Sequence, residues 1–349
     1  MAAGPLFVVS MWRSGSSLLY ALLNKHPQVA LMYEADLLLL KPVFLKPAAL
    51  SDWAERWEFW NRAFTRHGLK VEDAGKGISD FAGAFAATHQ LYARSRGATI
   101  WGDKSPNYYD RLNEMADDFP EARFIIVWRD PTGTANSILR AASLGNSYFQ
   151  RKGAGFSGLL GYEVFKKECD RLLVRGKPVC QVNYEDLISD TPSVMRRVCG
   201  FLEIPYDDSL STLEGADRSA ILEGKHHANL RGNEIARGPR PNLVGPELQS
   251  KIDLYGATWR KRYGIAWPPY PQFVESPQRA IGWISQLADL LHYRYLRLRD
   301  KISPLAFSFT PLTLLRQYRR RKALRTLPIV PVQRQADSLT SQTHAESQP

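Results

Sequence analysis

Leu6 to Leu23 reads LFVVSMWRSGSSLLYALL, and the fold is decided there. Leu6 to Met11 is a short apolar run with paired valines, the pattern of a strand buried on both faces. Trp12 to Ser17 turns the chain through Arg-Ser-Gly-Ser-Ser. Leu18 to Lys25 is helical in pattern and stops at His26-Pro27. Strand, turn and helix in this order build an anion cradle. Gly15 allows a tight turn and a close approach of backbone to ligand. The helix start offers free N–H groups and a partial positive charge. Ser14, Ser16 and Ser17 add hydroxyl donors, and Arg13 adds a fixed planar cation. The bland alternative is a serine-glycine turn that only caps a helix.

Short apolar runs recur downstream at Val29–Tyr33, Thr99–Trp101, Arg123–Trp128 and Pro178–Asn183. Helical patterns separate them: Ala35–Gly97, Thr132–Ala142, Glu163–Arg175 and Thr191–Leu202. Alternation of this kind predicts an α/β fold, a P-loop-like parallel sheet with helices on both faces. Ligands of such sheets sit beyond the carboxyl ends of the strands. Glu214–Pro246, rich in Gly, Arg and Asn, reads as a long loop of the kind that serves function. Pro268-Pro269 marks the end of the globular body. The expected organisation is a body over residues 1–267, a basic amphipathic helical extension over 268–327 and a disordered tail over 328–349.

The chain has 349 residues and a formal net charge of +11, which first suggests nucleic acid. From Ser276 onward, however, twelve Lys/Arg face four acids, so that stretch holds +8 and the rest only +3. The body is therefore not read as a nucleic-acid binder. In the extension, Ile281, Ile284, Ala288, Leu291, Tyr295 and Leu298 recur at helical spacing beside Arg294, Arg297 and Lys301. Arg319-Arg320-Arg321-Lys322 follows. A basic amphipathic helix suits anionic lipid, and a packing helix with a solvated end is the alternative. Three cysteines (Cys169, Cys180, Cys199) without a C-x-x-C pair exclude a disulfide scaffold and disfavour a structural zinc site. No basic n-region precedes the apolar run that breaks at Arg13, and no apolar run reaches about 20 residues. These features predict a cytoplasmic protein, peripheral at a membrane through its tail.

A second anchor lies at Phe124–Ser137, FIIVWRDPTGTANS. Arg129 leaves the carboxyl end of a strand, and Ser137 follows eight residues later on a helix. Asp130-Pro131 supplies an N-cap and an N1 proline. A plain surface turn is the competing reading. Glu34 directly follows the run VALMY, where a carboxylate can act as base on a hydroxyl or cap the next helix. Lys104 sits in WGDKSP beside the third run, either as an electrophilic helper or as a solvated loop lysine. His226 and His227, in KHHANLRGNEIAR, are further candidate bases or solvated loop histidines.

The loop RSGSS, the later RDP with its serine, and VNYEDLISDT before VCGFLEIP together resemble the sulfotransferases that use 3′-phosphoadenosine 5′-phosphosulfate (PAPS). The match is closest to the branch of carbohydrate 6-O- and tyrosylprotein sulfotransferases. It runs from Pro5 to Leu202, with a weaker continuation to Tyr263. The resemblance implies that Arg13, Ser14, Gly15, Ser16 and Ser17 hold the 5′-phosphosulfate. Arg129 and Ser137 match the pair that holds the 3′-phosphate. Glu34 matches the base, with Tyr33 completing a Tyr-Glu pair, and Lys104 matches a Lys-x-Pro lysine. Arg231, in Arg231-Gly232-Asn233, faintly resembles a late loop that closes over the nucleotide, although the next arginine is off its spacing. The implied acceptor bears a hydroxyl or amine, with glycan, lipid, small molecule and peptide all open. A sulfuryl group carries less charge than a phosphoryl group, so no metal is expected. The alternatives are a P-loop kinase or NTPase, which lacks its Lys-Ser/Thr pair here, and a non-catalytic membrane-associated adaptor.

Overall fold

The computed structural model describes residues 4–43 and 49–263 apart from 57, 75–77, 79, 147–148, 151–153, 224–226, 228–229 and 238–240, and the isolated positions 291, 294, 295 and 298. The expected boundary at 267, most of the basic extension, the tail after 327, His226 and Trp57 lie outside the described residues.

Five parallel strands form one sheet: β1 (Leu6–Ser10), β2 (Val29–Tyr33), β3 (Ile100–Lys104), β4 (Arg123–Trp128) and β5 (Val179–Asn183), in the order β2-β3-β1-β4-β5. The first strand is thus central, paired with β3 through Leu6–Gly102 and with β4 through Leu6–Arg123. Its apolar run is continuous because both faces are covered. Phe7 and Val9 enter one core with Met32, Trp101, Phe124 and Trp128. Leu6 and Val8 enter the other with Leu31, Ile125 and Val127.

The first core packs α4 (Phe81–Ser95), α5 (Leu112–Asp118) and α7 (Ala154–Val174) against the sheet through Phe85, Met115 and Phe165. The second packs α1 (Ser16–Leu23) and α9 (Thr191–Leu202) through Leu19, Leu22, Met195 and Val198. Between β2 and α4 lie α2 (Leu50–Arg56) and α3 (Glu58–Arg66). Their aromatic residues Trp53, Trp60 and Phe64 are core.

Two spans differ from the sequence reading. The third strand runs to Lys104 instead of ending at Trp101, so Lys104 closes the strand rather than following it. Gly102 hides this because glycine usually marks a break in a strand. Here its missing Cβ lets β3 approach β1: a Cβ at Gly102 would stand 1.9 Å from the Leu6 carbonyl oxygen. Among its described residues, the long loop Glu214–Pro246 contains a short helix, α10 (Ser219–Leu222), and leads into α11 (Pro246–Tyr263). The helix α6 (Pro131–Ser143) begins as its Asp-Pro pair predicts, with the Asp130 carboxylate accepting from the Gly133 N–H at 2.6 Å.

Candidate active site

The carboxyl ends of β1, β2, β3 and β4 converge on one cleft, with an empty volume of about 1000 Å³. Its lining includes Arg13, Gly15, Ser16, Ser17, Glu34, Lys104, Arg129 and Ser137. Eight of the ten residues assigned from the sequence therefore share one wall. Ser14 lies just beneath it, fully buried. Arg231 is exposed and stands outside the lining, whereas His227 and Leu230 of the same loop are in it.

The loop after β1 is built by conformation as much as by composition. Gly15 caps α1 with φ 93°, and Arg13 before it also has a positive φ, 65°. A left-handed arginine is uncommon and costs free energy, and such residues cluster at functional sites. No side chain caps α1, whose first residues Ser16 and Ser17 line the cleft. Gly15 has a second reason to be glycine: a Cβ there would lie 2.1 Å from the Tyr184 ring.

Arg13 and Arg129 meet here. The Arg129 Nη1 donates to the Arg13 carbonyl oxygen at 2.8 Å, and the Arg13 Nε donates to the Ser137 Oγ at 3.2 Å. The sequence assigned Arg13 and Ser137 to different phosphates, but the tertiary structure joins them. Arg129 rests 4.2 Å above the Tyr184 ring, and its Nε is buried with no hydrogen-bond partner. A buried guanidinium donor left open beside a cleft fits an anion. The residues present thus suit a ligand with two anionic groups, as PAPS has.

Lys104 is 1% exposed, yet carries a charge. Its Nζ donates to the Glu34 carboxylate at 2.6 Å and to the Ser17 Oγ at 3.2 Å. Glu34 extends the β2–β3 ladder by one bond, its N–H donating to the Lys104 carbonyl at 2.8 Å. The backbone then turns into the left-handed region at φ 47°, and the side chain pairs with Lys104. Base and helper, read separately from the sequence, are one ion pair.

Several residues in or behind the cleft carried no sequence signal as site residues. Tyr162 on α7 shares hydrogen bonds with Ser14 Oγ at 2.7 Å and Thr134 Oγ1 at 3.1 Å, and donates to the Arg129 carbonyl at 3.4 Å. It ties the first loop to the second anchor, and burial pushes its phenol up to about 12. Glu185 accepts from the Asp130 N–H at 3.1 Å, and the Tyr184 ring beside it lines the cleft. Asn107 lines it too, accepting from Trp12 Nε1 at 2.9 Å and donating to Asp36 at 3.0 Å. A Tyr or Asn at a strand end becomes visible only when the strand ends are assembled. Among the described residues no group of three or more His, Cys, Asp or Glu could hold a metal ion.

Asp36 is the buried carboxyl nearest this chemistry, also left-handed at φ 58°. It accepts from Ser105 Oγ at 2.6 Å. Burial, then the Glu34 charge, push its carboxyl from 3.8 up to about 7. An unfolded chain releases this proton near 3.8, so between about pH 4 and pH 7 folding must retain it. Its contribution to stability is therefore complete at low pH and is lost as pH rises through about 7. Asp36→Asn has no such slope. From pH 4 to pH 7.5 the melting temperature of wild type should fall by about 5 °C relative to Asp36→Asn. A gap that stays constant across that range would remove Asp36 as the titrating group.

A family model described as "Sulfotransferase family" matches residues 5–208, more than half of the chain. Protein-tyrosine sulfotransferase A of Caenorhabditis elegans is 25% identical over 243 residues, which cover 66% of this chain and 54% of that protein. Protein-tyrosine sulfotransferase 1 of Danio rerio is 24% identical over 216 residues, covering 59% and 54%. The chain thus spans about half the length of these relatives. Among solved structures, the sulfotransferase domain from the curacin biosynthetic pathway is 19% identical, with a TM-score of 0.47 over 72% of this chain and 97% of that one.

Proposed function

The chain belongs to the sulfotransferase family, and from that premise we propose that its cleft moves a sulfuryl group from PAPS to an acceptor hydroxyl. The observation that carries this reading is the Glu34–Lys104 pair, 2.6 Å apart, in the same cleft as Arg13, Arg129 and Ser137. A carboxylate for the proton, an ammonium for the leaving group and two guanidiniums for the nucleotide anions are the groups this transfer requires.

When bound, PAPS supplies the sulfuryl group and a phosphate leaving group. Arg129 and Ser137, with Arg13 between them, hold the 3′-phosphate. Gly15, Ser16 and Ser17 at the start of α1 hold the 5′ side through backbone and hydroxyl donors. Glu34 accepts the hydroxyl proton as the acceptor oxygen bonds to sulfur. The bond from sulfur to the bridging oxygen breaks, and its electron pair leaves on the 5′-phosphate. Lys104 stabilises that growing charge. Transfer of a weakly charged sulfuryl group by these donors needs no metal. The relatives' names, protein-tyrosine sulfotransferase, favour a tyrosine hydroxyl as acceptor. Glycan and lipid hydroxyls are the other classes that the same proton transfer serves.

The tail extends this reading to a cytoplasmic enzyme at a lipid surface. Leu291, Tyr295 and Leu298 are helical at spacings of four and three, and 55%, 61% and 57% exposed. An exposed apolar stripe inside the stretch of +8 charge suits an anionic bilayer.

Calorimetry tests the nucleotide assignment. Arg129→Ala should weaken 3′-phosphoadenosine 5′-phosphate (PAP) by about 100-fold, while 5′-AMP changes by less than about threefold. Equal losses for both nucleotides would reject it. Glu34→Gln should abolish sulfate transfer from radiolabelled PAPS to a fractionated host extract while PAP still binds, whereas full turnover would reject Glu34 as base. Replacing Arg319, Arg320, Arg321 and Lys322 by Gln should lower co-sedimentation with phosphatidylserine vesicles by about 10-fold or more, at about 1 kcal/mol per basic residue. Unchanged binding would end the lipid reading.

A further inference from the structure

We propose that Tyr33 positions the ammonium of Lys104 for sulfuryl transfer through the face of its ring. The inference rests on the sulfuryl-transfer reading and assigns a role that neither the cleft lining nor the Tyr-Glu pairing assigns. Tyr33 is the last residue of β2, 4% exposed and outside the lining. It acts through Lys104 and is a positioning residue.

Lys104 Nζ stands 4.4 Å from the centroid of the Tyr33 ring. The ring is fixed from two sides. Tyr20 meets it edge-on, with centroids 5.0 Å apart and planes at 63°. Its Oη shares a hydrogen bond with Ser17 Oγ at 2.9 Å and lies 3.4 Å from His227 Nε2. Ser17 also accepts from Lys104 Nζ, so ring, hydroxyl and ammonium form one closed triangle. Burial, then the nearby Glu34 charge, push the Tyr33 phenol well above its ordinary range, which keeps the ring neutral.

The three partners of the ammonium behave differently during transfer. Glu34 takes the acceptor proton and loses its charge. Its attraction for Lys104 therefore weakens while negative charge grows on the leaving phosphate. Ser17 is a neutral acceptor throughout. The aromatic face binds a cation without ever binding the proton, and its attraction is strongest where water is excluded. It holds Lys104 on station after the ion pair has been neutralised. An interaction that matters more in the transition state than in the ground state lowers kcat when removed and spares nucleotide affinity.

The test uses the full chain with two variants, Tyr33→Phe and Tyr33→Leu. The phenylalanine keeps the face and loses the hydroxyl, and the leucine loses both. The turnover probe is transfer of label from ³⁵S-labelled PAPS to the fractionated host extract at saturating PAPS, and PAP affinity is measured by calorimetry. Tyr33→Leu should lose about 10-fold or more in kcat, and Tyr33→Phe should keep at least about a third of it. PAP affinity should change by less than about threefold in both. Equal losses of kcat in the two variants would overturn the proposal, as would a loss of PAP affinity in parallel with kcat. A second readout needs no turnover. With ¹³C-labelled lysine, the Lys104 ε-methylene signal, assigned by Lys104→Arg, should carry a ring-current shift that survives Tyr33→Phe and disappears in Tyr33→Leu. A shift unchanged in Tyr33→Leu would overturn the proposal. A wild type that transfers no label to the extract would instead count against the sulfuryl-transfer reading, which keeps the two failures apart.

Discussion

Lys104 carries a positive charge in a place with almost no water, and the site is arranged around that fact. An ammonium removed from water is costly unless it is paired and hydrogen-bonded. Glu34 supplies the counter-charge, Ser17 an acceptor and Tyr33 a π face. Glu34 and Tyr33 come from the end of β2 and Ser17 from the start of α1, so the charge on β3 is satisfied only when β2, β3 and α1 are all in place. The strand order makes this possible, since β3 lies between β2 and β1 and the first loop follows β1. A pair held this way is an expensive arrangement for stability alone. In the proposed reaction it serves as a proton acceptor and a cation prepositioned together, with no reorganisation left to the moment of transfer.

Backbone strain is concentrated at the same spot. Among the described residues, four non-glycine residues have positive φ, and three of them are Arg13, Glu34 and Asp36. Each follows a strand end and must turn its chain sharply to bring a polar side chain to the cleft or its rim. The sheet and its two apolar cores hold these turns in place. Asp36 shows the electrostatic side of the same crowding. Its carboxyl is raised to about 7 by burial and by Glu34, so near neutral pH it carries less negative charge than an ordinary aspartate.

Much of this was legible in the sequence, for reasons that particular residues explain. Leu6–Met11 and Arg123–Trp128 are apolar without alternation because both faces of a parallel strand are covered, so their pattern survives without any knowledge of neighbours. The anion loop was legible because Gly15 and the serines form a contiguous motif. Glu34, Lys104 and Arg129 were legible because each stands at a strand's carboxyl end, where topology places ligands. Gly102 misled the reading of β3, since its purpose is a close approach to Leu6 that no local pattern encodes. Tyr162 and Tyr184 were silent as site residues for a similar reason. Their partners, Ser14 and Arg129, are far away in sequence.

The sequence by itself determined the alternating fold, the position of the anion loop, the residues at the strand ends and the separation of bulk charge into a nearly neutral body and a basic tail. These are local or compositional properties, fixed by periodicity, turn chemistry and counting. Tertiary structure alone decided that Glu34 and Lys104 are one pair, that Arg13 bridges toward Ser137, that Arg129 lies on the Tyr184 ring and that Tyr33 backs the ammonium. Each of those contacts joins residues through space, and their geometry depends on strand order, register and the hand of single turns. Ångström-scale distances of that kind arise from packing, which a linear pattern does not contain.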